Sequence, residues 1–230
     1  MATKRPAEEQ ITKEGPASEG AAKALRVEAR EKSETLPGRK EVGSTRWLGL
    51  YNLKWVDRRG VERAWDMCSR KTKMPEAYAD AVIIFCILQG GDMKEPHILL
   101  VKQFRPPTGK YSIEMPAGLI DKGETVQEAA LRELKEECGY VGTVTATSPE
   151  LCLSPGLSDE TAAMCTVSID LDAPENQKPA QELEDTEDLV VVKEPLSTLR
   201  DRLQHYTDEG CIVFLPLFSL ATALQMKQKL

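Results

Sequence analysis

The stretch GLIDKGETVQEAALRELKEECGY, residues 118–140, decides how the rest of the chain is read. It is a glycine-bearing loop running into a short acidic helix. Thr125 and, three residues on, Glu128 make a capping box, in which hydroxyl and carboxylate satisfy the unpaired amides of a helix start, so the spacing predicts a helix from that point. Gly139 predicts its end, because glycine takes up the left-handed conformation that closes helices. Val126, Ala130, Leu134 and Cys138 recur at helical spacing and predict a face packed on a core. Glu133, Glu136 and Glu137 stand at i, i+3 and i+4, which sends their carboxylates out on one side.

Two carboxylates about 5 Å apart repel by roughly 1 kcal/mol in water and roughly 3 kcal/mol at an effective dielectric of 20. A positive partner is therefore expected among them. Arg132 serves in part. A hard divalent cation, which takes oxygen ligands and keeps several waters, suits the cluster better, and Mg2+ is the natural candidate, with Mn2+ as a substitute. The trio alone reads more readily as a solvated face in a protein rich in Glu and Lys. The complete pattern decides between these readings. Gly118, Glu124 and then Arg132-Glu133-Leu134-x-Glu136-Glu137-x-Gly139 resemble the Nudix box, the signature of hydrolases that cut nucleoside diphosphates linked to another moiety. Every charged and glycine position of that box is matched. Tyr140, where an aliphatic residue is usual, departs from it in packing rather than chemistry.

Composition narrows the rest. The chain has 230 residues, 41% of them hydrophobic, enough for one good core and a small second module. A net charge of −7 disfavours a nucleic-acid or acidic-membrane binder, since phosphate contacts need Lys and Arg in excess. No apolar run reaches membrane-spanning length and no apolar leader opens the chain, so a soluble, cytoplasmic protein is expected, with a nuclear pool as the alternative. Cys68, Cys86, Cys138, Cys152, Cys165 and Cys211 are scattered without metal spacing and read as reduced thiols. His97 and His205 are the only histidines, which leaves little room for a zinc site or a histidine triad.

Residues 1–44 lack aromatic residues before Trp47 and mix Lys, Arg and Glu closely, the composition of a disordered tail. Residues 45–75 read as a strand, a turn at 57–60 and a strand, an N-terminal β-hairpin module. Residues 76–230 form the main domain. Within it, 80–89 and 97–104 are apolar strands, 111–115 a short strand leading into the signature, and 161–169 another apolar strand. A further strand is expected around Leu151 and one at 189–192. Residues 172–187 are polar and read as flexible, and helical patterns follow at 196–206 and 215–227. The expected class is α/β (α+β): a mixed β-sheet sandwiched between helices, with the hairpin module in front.

That order is similar to the Nudix fold. Lys102-Gln103-Phe104-Arg105-Pro106-Pro107, Glu114-x-Pro116-Ala117-Gly118 and Pro155-Gly156-Leu157-Ser158, with Trp47 and Trp65 about the hairpin, resemble one subgroup, the ADP-ribose pyrophosphatases or ADP-sugar diphosphatases. The resemblance covers the chain from about Trp47 onward. It implies that Glu133 and Glu137 hold the metal, with Glu136 as a further ligand and the Ala117 carbonyl as a backbone one. Arg132 would hold the carboxylates in place and Glu124 would brace the loop. It implies a base from the acidic run 184–188; Glu187 is favoured by its spacing to the next strand, and a solvated linker is the alternative. Arg70 and Arg105 match positions that grip the diphosphate, work suited to the guanidinium fork. Glu114 and Leu119 match substrate-side positions. Trp47 and Trp65 match rings that sandwich adenine, one from each subunit of a homodimer with exchanged hairpins; ordinary strand packing is the other reading, and the one taken for Trp55. The implied activity is hydrolysis of ADP-ribose to AMP and ribose 5-phosphate. Two alternatives stand beside it: another nucleoside diphosphate derivative such as an oxidised guanine nucleotide, or a nucleotide sensor without turnover, which the retained carboxylates disfavour.

Overall fold

The apolar runs of the sequence become the middle of a sheet. A computed structural model of the chain describes residues 39–57, 61–74, 77–185 and 187–229. The chain divides into two compact units, one ending at Lys71 and one spanning Thr72–Leu230.

In the first unit β1 (Lys40–Ser44), β2 (Leu48–Val56) and β3 (Glu62–Arg70) form an antiparallel sheet in that order. The expected hairpin is β2 and β3, in register from Leu48↔Arg70 to Val56↔Glu62. Its turn, 58–60, lies outside the described residues, as do residues 1–38 of the expected tail. Residues 40–44, assigned to that tail, form a strand instead. β1 is held by backbone pairing to β2 with all its residues exposed, so no apolar pattern marks it.

In the second unit β4 (Ala81–Gln89), β5 (His97–Arg105), β6 (Lys110–Glu114), β7 (Ala117–Leu119), β8 (Thr143–Thr147), β9 (Leu151–Cys152), β10 (Thr161–Asp170), β11 (Leu189–Pro195) and β12 (Ile212–Val213) share one sheet. Its spine runs β12-β6-β5-β4-β10-β8, with β11 on β5, β7 on β4 and β9 on β10. β4 runs parallel to β10 and β12 to β6; the other pairs are antiparallel, so the sheet is mixed.

The central strands are apolar at nearly every position because both faces are covered. Val82, Ile84, Cys86 and Leu88 of β4 point to one core with Leu99, Val101, Ala163, Cys165 and Val167. That side is roofed by α1 (Val126–Cys138), through Val126, Ala129, Ala130, Leu134 and Cys138. Ile83, Ile98, Leu100 and Ala162, one residue out of phase, point to the other core, under α2 (Leu199–Asp208) and α3 (Leu215–Lys229). The expected sandwich is therefore present. Two differences stand out. β8, all threonine, valine and alanine with one half-buried residue, has no apolar run to announce it. Residues 172–187, read as flexible, include a 3-10 turn (Pro174–Asn176) and several bonds to other segments.

Candidate active site

β7 fixes where the signature loop begins. Its residues pair with the start of β4 at Ile83↔Ala117, Val82↔Gly118 and Ala81↔Leu119, and the Pro116 carbonyl accepts from Ile84 N at 2.8 Å. Asp80 extends this anchorage. Its carbonyl accepts from Ile120 N at 3.1 Å, and its buried carboxylate accepts from Lys73 Nζ and Thr161 N, both at 2.9 Å. Sequence reasoning missed Lys73 and Asp80, since nothing local links residue 73 to the head of β10.

The helix follows the expected chemistry. Thr125 and Glu128 form a reciprocal capping box, and Gly139 closes α1 at φ 77°. Tyr140 is buried in the core beneath Lys193, which agrees with a packing role.

The three carboxylates divide. Glu133 and Glu137 are 8% and 5% exposed, whereas Glu136 sits half-buried on the rim. Glu137 Oε2 accepts from Ala117 N at 3.1 Å, tying helix to loop. Arg132 uses all its donors. Nε and Nη2 hold Glu124 at 2.8 and 3.0 Å, Nη1 bridges Glu133 at 2.8 Å and Glu136 at 3.0 Å, and Nη2 also reaches the Leu119 carbonyl at 2.9 Å. Such charge-assisted bonds to a planar fork fix position as well as charge. Glu124 in turn accepts from Asp121 N at 3.0 Å, so it braces the loop as expected. Gly118 is required by this packing: a Cβ there would land on the Glu133 carboxylate.

Burial is what dominates the electrostatics. It pushes the Glu137 carboxyl up to about 8, with the charges of Glu133 and Glu187 adding to the rise and Ala117 N and Arg105 opposing it. Burial also raises Glu133, against the pull of Arg132, with Glu136 and Glu187 adding to the rise. Glu187 is thus close enough for its charge to be felt at both buried carboxylates. It caps a tight turn, accepting from Glu184 N at 2.9 Å.

Arg105 is engaged side-on by Glu114, at 2.7 Å through Nε and 2.8 Å through Nη2, and its charge reaches Glu137. Among the described residues its Nη1 makes no hydrogen bond. The Leu119 side chain is exposed at the end of β7. Trp47, Trp65 and Arg70 lie on the N-terminal unit, and the two rings are 57% and 48% exposed, so neither is core packing within the chain. Trp55, expected to pack, is 40% exposed. A groove of about 860 Å³ opens beside the loop, lined by Met74, Tyr78, Lys122 and Thr125; it includes neither Glu133 nor Glu137.

Among the described residues no three acidic, cysteine or histidine side chains converge into a complete metal shell. What Glu133 and Glu137 offer is a pair of buried carboxylates, each holding its proton more tightly than usual and each with one oxygen beyond that bonded to Arg132 or Ala117 N. That suits a cation such as Mg2+, which is commonly held by one or two carboxylates with waters and substrate phosphates completing the shell. Among the described residues no cysteine is joined in a disulfide, and Cys86, Cys138, Cys165 and Cys211 are buried. Among the described residues no helix is long and apolar enough to cross a membrane.

Fold and site together define an α/β sandwich whose chemistry is concentrated in one loop–helix unit bearing buried carboxylates. The NUDIX domain pattern matches residues 77–206. The ADP-ribose pyrophosphatase of Saccharomyces cerevisiae is 42% identical over 171 residues, covering 74% of each chain. The ADP-sugar pyrophosphatase of Mus musculus is 38% identical over 183 residues, covering 77% of this chain and 83% of its own. A crystal structure of an ADP compounds hydrolase superposes with a TM-score of 0.57 at 20% identity, covering 84% of this chain and 94% of that one, a likeness of fold. The chain belongs to the Nudix hydrolase family.

Proposed function

We propose that the protein hydrolyses the pyrophosphate bond of ADP-ribose, and of related ADP-sugars, to AMP and the sugar phosphate, with Mg2+ as cofactor and Mn2+ able to replace it. The observation that carries this reading is the buried Glu133/Glu137 pair held against the loop by Ala117 N and Arg132. The names of the yeast and mouse relatives support the substrate class.

Glu133 and Glu137 would hold the cation, with Glu136 and the Ala117 carbonyl as further oxygens on the same side. When bound, the cation neutralises charge on the non-bridging phosphate oxygens and makes water easier to deprotonate. Glu187 takes the proton from the attacking water. Arg105 and Arg70 draw the diphosphate into line by their guanidinium groups, and positioning of this kind supplies much of the catalysis in phosphoryl transfer. A phosphate would meet the open Nη1 of Arg105, while Glu114 keeps the fork in plane. Leu119 and Glu114 border the sugar. Trp47 and Trp65 stack on adenine, which contributes about 1–3 kcal/mol per base. Their exposure in the single chain supports a homodimer in which the N-terminal units exchange, each active site drawing one ring from either subunit.

The test is a panel of ADP-ribose, other ADP-sugars and oxidised guanine nucleoside diphosphates, each with Mg2+ and with EDTA. ADP-ribose is expected to yield AMP with Mg2+ only. Glu137→Gln should lower kcat at least about 100-fold while leaving the circular dichroism spectrum unchanged. Nucleotide binding without products would defeat the enzymatic reading, and preference for a guanine nucleotide would defeat the substrate.

A further inference from the structure

The segment between the 3-10 turn and β11 lies along the C-terminal end of α1. A helix leaves its last carbonyls without partners inside the helix. Two of those carbonyls belong to the carboxylate-bearing residues, and this segment takes both. Glu182 N donates to the Glu136 carbonyl at 2.8 Å, and Gln181 Nε2 donates to the Glu137 carbonyl at 2.6 Å. The same Nε2 reaches the Leu189 carbonyl at 3.4 Å, so the amide nitrogen faces two acceptors. That fixes which end of the side chain points at the helix.

The rest of the segment is placed by the same means. Asn176 accepts from Val141 N at 2.8 Å and returns a bond to the Val141 carbonyl at 2.9 Å. Gly139 allows the backbone of Ala180 to lie directly on the helix end, where a Cβ would collide with it. Beyond Gln181 and Glu182 the chain closes a turn in which Glu187 N donates to the Glu184 carbonyl at 2.9 Å and Glu184 N to Glu187 Oε2, also at 2.9 Å. The strap thus runs from the backbone of Glu136 and Glu137, met at Glu182 and Gln181, to the carboxylate of Glu187 within seven residues.

We propose that Gln181 is a positioning residue for Glu187: its amide ties the strap to the Glu137 carbonyl and so sets where the Glu187 carboxylate stands relative to the Glu133/Glu137 pair. This rests on the function proposed above and names a part of the same site. With its amide nitrogen on the Glu137 and Leu189 carbonyls, Gln181 acts through the strap rather than on substrate. Its effect is on the placement of a proton acceptor, so its loss acts on turnover and leaves binding nearly untouched. A misplacement of about 1 Å lowers rates by up to roughly 100-fold.

The experiment uses the full chain with Gln181→Met, which keeps length and removes the donor, Gln181→Lys, which keeps a donor, Glu187→Gln, and the Gln181→Met/Glu187→Gln double variant. Gln181→Met is expected to lower kcat by roughly 10- to 100-fold with KM changed less than about twofold, and Gln181→Lys to restore most of the loss. In the Glu187→Gln background, Gln181→Met should change nothing further, because the group it places is already gone. Wild-type kcat in Gln181→Met, full activity in Glu187→Gln, or independent losses that multiply in the double variant would each overturn the proposal. Hydrogen exchange gives a readout free of activity: amides 182–188 should exchange faster in Gln181→Met while those of 126–134 hold. If the wild-type chain leaves ADP-ribose intact, the substrate reading fails while faster exchange still supports the tether; unchanged exchange overturns the tether itself.

Discussion

Arg132 shows how much one side chain organises. Each N–H of its guanidinium has an acceptor, and those acceptors lie at Leu119 at the end of β7, at Glu124 on the loop, and on the helix at Glu133 and Glu136. Lysine would keep the charge but offer three donors from a single point, which cannot span loop and helix together. Hydrogen bonds to charged groups contribute about 1.5–3 kcal/mol each, and the partial exposure of Arg132 puts the net loss at the low end. Arg132→Lys should therefore lower Tm by about 3–6 °C, at roughly 2–4 °C per kcal/mol for a chain of this size and a loss of about 1.5 kcal/mol, and reduce kcat as Glu133 loses its restraint. Differential scanning calorimetry beside a kcat measurement checks this, and an unchanged Tm would count against the bridging role. At this scale the sequence was readable in part. Arginine beside a glutamate trio announced a charge cluster, yet Glu133, Glu136 and Glu137 looked equivalent. Which of them is buried depends on the approach of Ala117 and Gly118 from β7, which helical spacing cannot reveal.

The loop and α1 fold from two kinds of instruction, and substitutions can separate them. Thr125 acts on helix stability through its cap; Gly118 acts on the position of a carboxylate. Thr125→Ala should lower Tm by about 2–4 °C, for a cap worth about 1 kcal/mol, with kcat nearly unchanged. Gly118→Ala should do the reverse. Its Cβ meets the flexible end of Glu133 rather than backbone, so the chain folds, the carboxylate is pushed aside and turnover falls by at least about tenfold. Equal effects of both variants on Tm and kcat would refute the separation. The cap at Thr125, the stop at Gly139 and the apolar stripe of α1 were all legible because each is set by residues within one turn of the helix. The strap at residues 177–188 was not. Its polar side chains resemble those of a linker, and what orders them is a row of carbonyls some forty residues away in sequence, as Gln181 on Glu137 illustrates. β1, β8 and β12 escaped for a related reason: they are joined by backbone pairing at sheet edges, where no apolar alternation is needed.

Across the whole second unit, the sheet buries α1 deeply enough that its acidic face carries a stability cost of its own. Burial raises the folded-state pKa of Glu137 to about 8 and raises Glu133 as well, while both return to ordinary carboxylate values when the chain unfolds. Between those values the folded protein holds more protons than the unfolded one, so metal-free stability falls as pH rises through the window from about 5 to 8. A divalent cation held by the proposed ligands Glu133 and Glu137 would take the place of the proton, and its stabilising effect should grow over the same interval because protons would compete with it less. The EDTA-treated protein should therefore lose Tm from pH 5 to pH 8, and saturating Mg2+ should raise Tm more at the alkaline end than at the acid end. Glu137→Gln supplies the control, since the amide does not titrate and every other group is retained. Its metal-free Tm should decline less over the window and respond less to Mg2+. Parallel curves for wild type and variant would mean that the decline comes from elsewhere in the chain, and that the Glu133/Glu137 pair is not where positive charge is drawn in.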